Sequence, residues 1–200
     1  MTTSETVRIV PANESTFEHL QAVLGSRGPG HRCQCQRYKL APGESFGNVP
    51  VAVRAERLRR QAGCGDACSE VTSGLVAYLA ETPVGWCAVE PRPAYSGLVR
   101  VMRVPWEGRS EDRTDPRAWA VTCLFVRAGF RRRGISRALA VAAVEFARAR
   151  GADALEAYPM TTTKAIAEEL HVGTWATFAA AGLAEVSRPT LRRAVMRIDL

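Results

Sequence analysis

A chain of 200 residues, 46% hydrophobic and 24% charged, carries enough apolar side chain for a sizeable core and too much for disorder. Its 27 Lys+Arg outweigh 20 Asp+Glu for a formal net charge of +7. All of those cations but Lys39 and Lys164 are arginine, a bias that GC-rich genomes also produce but that suits phosphate recognition. Residues 1–10 lack the apolar core of a signal peptide, and the longest apolar run, 138–144, is too short to cross a bilayer, so a cytoplasmic chain without a membrane partner is expected.

Residues 6–10 alternate weakly and read as a first strand. Asn13 or Ser15 then caps a helix whose Phe17, Leu20 and Leu24 share one face and which ends at Gly25. Residues 26–49, punctuated by glycine and proline and carrying Cys33 and Cys35, read as a long irregular insertion of the kind that often serves function. Asn48 caps a second helix, with Pro50 near its first turn and Gly63 near its end, and Arg54, Arg57, Arg59 and Arg60 form its solvated face. Residues 74–80 and 84–89 flank the turn signal Glu81-Thr82-Pro83 and form an antiparallel hairpin. Residues 91–117, polar and broken by Pro93, Pro105 and Pro116, are a second irregular insertion.

The run WAVTCLFV, residues 119–126, is apolar or β-branched almost throughout and reads as a central strand buried on both faces. A helix follows over 135–150, with Ile135, Leu139, Ala142, Ala143 and Phe146 as its core face, Arg148 and Arg150 at its negative end and Gly151 as cap. Residues 154–158 make another strand, stopped by Pro159, so 119–158 is a βαβ crossover with parallel strands. A short helix within 173–181 ends at Gly182, and 183–187 with 194–200 close the chain as a strand pair. The predicted architecture is one α/β domain over residues 1–200, a mixed sheet flanked by helices, with insertions at 26–49 and 91–117.

Cys87 and Cys123 lie in strand-like runs and act as small hydrophobes. His31, Cys33, Cys35, Cys64 and Cys68 offer soft ligands in HxCxC and CxxxC spacing, but the paired CxxC of zinc sites is missing, so no metal is expected and the thiols are read as reduced.

The junction after the buried strand carries the functional signal. Arg127, Arg131, Arg132, Arg133 and Arg137 fall within eleven residues and leave the rest of the chain at +2. Gly134 permits a sharp turn and close backbone approach, and the amides of Arg133, Gly134, Ile135 and Ser136 open a helix without intrahelical partners. Free amides at a positive helix end form an anion site that suits a diphosphate, with the Ser136 hydroxyl as an added donor. A nucleic-acid-binding module would need basic residues spread along a face among exposed aromatics, which a remainder of +2 does not supply.

The stretch FVRAGFRRRGISRAL, residues 125–139, resembles the coenzyme A loop of the GNAT superfamily of acyl-CoA-dependent N-acyltransferases, whose signature is Arg/Gln-x-x-Gly-x-Gly/Ala. Arg131, Gly134 and Ser136 take the motif positions, with Ser136 a small-for-small change. TWATFAAAGL, residues 174–183, resembles the family's next helix, and Phe178 stands where the family often has a tyrosine general acid. The CxC region and Glu156–Pro159 resemble a bacterial branch of the family without assigned substrates.

The resemblance implies acetyl-CoA bound between the two parallel strands as these splay apart, no metal, and direct attack by an amine acceptor in a ternary complex. Homodimers are common in the superfamily. Leu124, Phe125 and Val126 would line the pantetheine arm, residues 131–136 would hold the diphosphate, and a backbone amide near Leu124 would polarise the thioester. Glu156 and Tyr158, two apart on a strand, share a face near the splay and serve as base and acid candidates, with Glu90 a further base candidate. Cys33, Cys35 and Tyr38 are candidates for acceptor contact. Tyr95 and Trp106 either wall the acceptor pocket or anchor their loop, His171 precedes the late helix within reach of the site, and Cys123 reads as packing rather than a nucleophile. Phe178 also keeps open a coenzyme-A-binding regulatory protein without catalysis.

Overall fold

In the computed structural model, which describes residues 6–166 and 168–200, one sheet holds β1 (Val7–Pro11), β2 (Gly74–Leu79), β3 (Thr82–Pro91), β4 (Ala118–Val126), β5 (Ala154–Ala157), β6 (Ala184–Thr190) and β7 (Arg193–Asp199). Their spatial order is β1-β2-β3-β4-β5-β7-β6. Neighbours are antiparallel except β4 and β5, which are parallel as the crossover reading requires. The mixed α/β class is therefore the observed one.

The position of the site follows from how β4 and β5 part. Their register runs from Ala118 opposite Ala154 to Val121 opposite Ala157 and stops there. Pro159 has no N–H to continue a ladder, and among the described residues Thr122–Val126 has no strand partner on that edge. The other edge of β4 stays paired with β3 as far as Val126.

The helices are α1 (Phe17–Leu24), α2 (Gly28–Cys33), α3 (Val51–Ala62), α4 (Ser96–Val101), α5 (Ile135–Ala149) and α6 (Trp175–Ala179). One face of the sheet packs Val121 and Leu124 of β4 with Ile135, Leu139 and Ala143 of α5 and Phe178 of α6. The other face packs Cys123 and Trp86 with Leu20 and Leu24 of α1 and Leu58 of α3. The stripe that α5 buries is Ile135, Leu139, Ala140, Ala143, Val144 and Ala147. Ala142 and Phe146, expected in it, lie at its edge and are only partly covered. Small alanines at 140, 143 and 147 bring this side of the helix close to the sheet.

Several local expectations are corrected by long-range partners. Thr16 caps α1, accepting from the His19 N–H at 3.2 Å. Asn13 instead donates to the Ser69 carbonyl, and the Ser15 hydroxyl pairs with the Tyr78 hydroxyl at 2.6 Å. Pro50, not Asn48, stands at the α3 N-cap, because Asn48 is used in the preceding turn, accepting from the Ser45 N–H and donating to the Gly43 carbonyl. Arg54 is buried rather than solvated, its guanidinium donating to the Phe46 and Val49 carbonyls. Thr82 and Pro83 belong to β3, with the turn at Ala80 and Glu81, and Pro83 sits opposite Tyr78 where the ladder bulges and needs no donor. The two insertions contain the short helices α2 and α4.

Candidate active site

β4 aims alternate side chains at two hollows, one on each face of the sheet. On the α5 face, Val126, Phe130, Arg132, Gly134, Ile135, Ser136, Arg137 and Thr177 of α6 line a groove of about 200 Å³. Gly134 is the N-cap of α5 in the left-handed conformation, φ 77°, and supplies no side-chain cap. The first amide bonded back along the helix is that of Ala138, to the Gly134 carbonyl at 3.0 Å. The amides of Ile135, Ser136 and Arg137 are thus the free donors of the helix end. A Cβ built at Gly134 meets nothing within 4 Å, so the space over this turn is open to a ligand.

The arginines divide in their use. Arg132, Arg137 and the helix end face the groove. Arg131 donates to the Val126 carbonyl at 3.3 Å and closes the end of β4. Arg127 and Arg133 lie over the Phe130 ring at 5.7 and 5.4 Å. Of the expected coenzyme residues, Val126, Arg132, Gly134, Ile135 and Ser136 meet in one groove, Leu124 packs into the core beneath α5, and Phe125 points to the opposite face.

There a cavity of about 270 Å³ is walled by α1, α2, the chain after α2, β4 and the segment before α6. Its lining includes Leu24, Gly30, Cys33, Cys35, Phe46, Cys123, Phe125 and His171. Gly30 is required in this wall, because a Cβ there would stand 2.7 Å from the Leu24 carbonyl and 3.0 Å from the Phe125 ring. Gln34 and Cys35 both take positive φ, 48° and 51°, a conformation that non-glycine residues hold only under tertiary constraint. The buried Gln34 side chain is held by a reciprocal amide pair with Gln21, and the Trp86 indole donates to the Cys35 sulfur at 2.9 Å. The Cys123 thiol donates to the same sulfur, and these two donors, with the nearby Lys39 charge, hold the Cys35 thiol below its ordinary value despite burial. Cys123 is correspondingly pushed well up. Of the three acceptor-contact candidates, Cys33 and Cys35 line this cavity, while Tyr38 is buried beside it, stacked on His171 at 6.2 Å.

Glu90, at the end of β3, forms an ion pair with Lys39, both side chains being nearly enclosed. Burial raises its carboxyl above the ordinary value, with Lys39 opposing. Neither partner of this pair lines the cavity, although both charges act on Cys35.

Glu156 is in different surroundings. It is fully buried on β5, and Oε2 accepts from Tyr158 Oη at 2.9 Å and Arg92 Nη1 at 3.3 Å. Oε1 accepts from Arg197 Nη1 at 3.1 Å and from Arg109. Arg92 and Arg109 come from the second insertion and are also tied to Glu111. Glu156 and Tyr158 do share a face and touch, as expected, but every lone-pair direction of the carboxylate is taken by a cation or a phenol, and the Tyr158 proton is committed to it. Trp106 and Tyr95 anchor the same insertion rather than wall the cavity. Trp106 donates to the Leu98 carbonyl at 3.1 Å and lies under Arg92, and Tyr95 is fully buried.

His171 is the residue whose state the sequence least revealed. Its Nδ1 stands 2.6 Å from the Glu168 carbonyl. A carbonyl only accepts, so Nδ1 carries the proton and Nε2 keeps its lone pair. Burial lowers the imidazole to about 4, with the charges of Arg37 and Arg193 acting in the same direction, so it is neutral at physiological pH. Phe178 is fully buried in the core beneath α5 and lines neither the groove nor the cavity.

Among the described residues no helix is long and apolar enough to cross a membrane, and no three His, Cys, Asp or Glu side chains converge as a metal-holding group. All six cysteines are free, with Cys64 packed against the α1/α3 core and Cys68 exposed.

The model of the acetyltransferase (GNAT) family matches residues 46–171. No curated protein matches the sequence. Among solved structures the fold is similar to a ribosomal-protein-alanine N-acetyltransferase from Brucella melitensis, at 20% identity over 98% of this chain and 99% of that one, TM-score 0.52. It is similar also to an N-acetyltransferase from Staphylococcus aureus Mu50, at 13% identity over 97% and 98%, TM-score 0.53. A third is the PaiA N-acetyltransferase from Thermoplasma acidophilum in complex with coenzyme A, at 10% identity over 98% and 99%, TM-score 0.51. At these identities the likeness is one of fold.

Proposed function

The chain belongs to the GNAT acetyltransferase family, and from that premise we propose that it transfers an acetyl group from acetyl-CoA to a primary amine by direct attack in a ternary complex. The observation that carries the reading is the turn between β4 and α5. An uncapped helix end, an open left-handed glycine and the cations Arg132 and Arg137 converge on one groove, at the end of a strand edge without a strand partner among the described residues. Three free amides and two guanidiniums suit a diphosphate. The Thr122–Val126 edge then offers backbone donors and acceptors to an extended amide-bearing arm leading toward the second hollow.

Acetyl-CoA supplies the acetyl group activated as a thioester. The chain holds that group beside the cavity, where the acceptor nitrogen is confined at short range, and this positioning supplies much of the rate. Glu90 is the proton acceptor we assign, taking the proton through a bridging water because its side chain does not itself line the cavity. Its raised carboxyl takes up a proton more readily than an ordinary one, and Lys39 keeps it ionised and oriented until then. Glu156 and Tyr158 act as positioning residues, fixing the second insertion and the end of β5 beside the splay. The cavity side chains Cys33 and Cys35 contact the acceptor, and Tyr38 supports them through His171.

The test is acetyl-CoA binding by calorimetry for the parent and Gly134→Asp. Aspartate tolerates positive φ better than most residues and its Cβ meets no protein atom, so the fold survives while a carboxylate enters the diphosphate site. Binding is expected to fall at least 100-fold. A variant that binds acetyl-CoA like the parent overturns the assignment of this groove.

A further inference from the structure

The acceptor cavity carries an unbalanced charge that points to the chemistry of what fills it. Arg32, Arg37, Arg54 and Glu168 all line it. Arg32 and Glu168 neutralise one another in an ion pair at 3.2 Å. Arg37 and Arg54 have no carboxylate within ion-pair distance among the described residues, although both guanidiniums lie over the single Phe46 ring, at 5.4 and 4.8 Å from its centre. Arg54 is 97% buried, counting its 3% exposure, and its Nε is a buried donor with no partner. A guanidinium held so far from water with a donor unused is costly unless an anion arrives to use it. Arg37 lines the same cavity from the chain after α2, with its guanidinium over the Phe46 ring and its outer part open to solvent. His171 is neutral and adds no compensating negative charge.

Resting on the acyl-transfer reading, we propose that the acceptor is a small primary amine that also carries a carboxylate, an amino acid with an apolar body. Arg37 and Arg54 take the carboxylate, for which the guanidinium fork is the natural partner. Leu24, Phe46 and Phe125 cover the apolar body. The volume of about 270 Å³ lies under the roughly 300–1,000 Å³ of drug-sized sites and suits an acceptor of amino-acid size. Two uncompensated cations repel a polyamine from the same space.

The experiment compares L-phenylalanine with L-phenylalaninamide as acceptors, following release of the coenzyme thiol, after calorimetry has established acetyl-CoA binding. The two share the amine and the ring and differ only in the anion. The amide has the less basic amine, so more of it is unprotonated at neutral pH and chemistry alone favours it. The expected result is a kcat/KM at least tenfold higher for the acid, carried in KM, and a fall of that ratio of at least fivefold in Arg37→Gln. Arg37 is exposed, so this variant does not endanger the fold. Equal or better use of the amide overturns the proposal, as does a ratio unchanged in Arg37→Gln, or acetyl-CoA binding without turnover of either compound. Failure to bind acetyl-CoA would instead overturn the acyl-transfer reading itself.

Discussion

Glutamine in place of Glu156 separates a catalytic carboxylate from a structural one. Glu156 is fully buried and accepts from Arg92, Arg109, Arg197 and Tyr158. Arg92 is itself 1% exposed. In Glu156→Gln one oxygen survives as an acceptor, while the other becomes an amide donor facing cations, and the three guanidiniums keep only Glu111 and Asp199 as counter-charges. Removing one partner of a buried ion pair costs about 3–5 kcal/mol. A domain of this size shifts about 2–4 °C per kcal/mol, so the melting temperature should fall by about 6–20 °C. Urea unfolding at 25 °C followed by tryptophan fluorescence measures the loss. Acetyl transfer is then assayed at low temperature, where the variant remains folded, and should stay within tenfold of the parent. Tyr158→Phe removes one donor and leaves the carboxylate with its cations, so a smaller loss of about 1.5–3 kcal/mol is expected. If Glu156→Gln keeps its stability within about 1 kcal/mol while transfer falls 100-fold or more, the carboxylate is the base and Glu90 is wrongly assigned; the converse pattern is the one the buried pairing demands.

The thiols and the buried imidazole give further checks. Iodoacetamide at pH 7, with peptide mass spectrometry, should alkylate Cys35 before Cys64 and Cys87, because burial pushes Cys64 up to about 11 and Cys87 higher still while Cys35 is lowered. Cys123→Ala removes a donor to the Cys35 sulfur and should slow that reaction; an unchanged rate would show that the thiol pair does not tune Cys35. Burial holds the folded His171 imidazole down to about 4, against about 6.5 for an imidazole in water, so between these pH values the unfolded chain binds the extra proton. The stability this group contributes is present above 6.5 and is lost as pH falls toward 4, about 2–3 kcal/mol by pH 4.5. Urea unfolding at pH 7 and 4.5 should show the parent losing that much more than His171→Gln, and parallel losses would place His171 in water.

What the sequence made legible was the part of the molecule built from neighbours in the chain. WAVTCLFV, the arginine-glycine turn and the amphipathic run after it predict β4, the uncapped helix start and α5, because composition and periodicity over about twenty residues decide those elements. What stayed hidden depends on partners far away. Arg92 reaches Glu156 across 64 positions and Arg109 across 47, and no local pattern distinguishes their guanidiniums from solvated ones. The same blindness assigned Arg54 to a wet helix face, when the Phe46 and Val49 carbonyls draw it inward. Even the short-range pair Glu156 and Tyr158 was placed correctly on one face, yet its chemical role depends on arginines from other elements.

This makes pairing, rather than net charge, the informative property of an arginine-rich chain. Arg57, Arg92, Arg109 and Arg197 are spent on Glu44, Glu111 and Glu156 and stabilise structure. Arg37, Arg54, Arg132 and Arg137 are among the arginines without a carboxylate partner in the described residues, and these four line the cavity and the groove. Those two hollows lie on opposite faces of β4, served by Phe125 on one side and Val126 on the other. A sheet paired along its whole length would wall them apart. On the acyl-transfer reading proposed above, the end of β4–β5 pairing at Val121 and Ala157 is the opening through which an extended chain anchored in the groove would deliver its end toward the cavity.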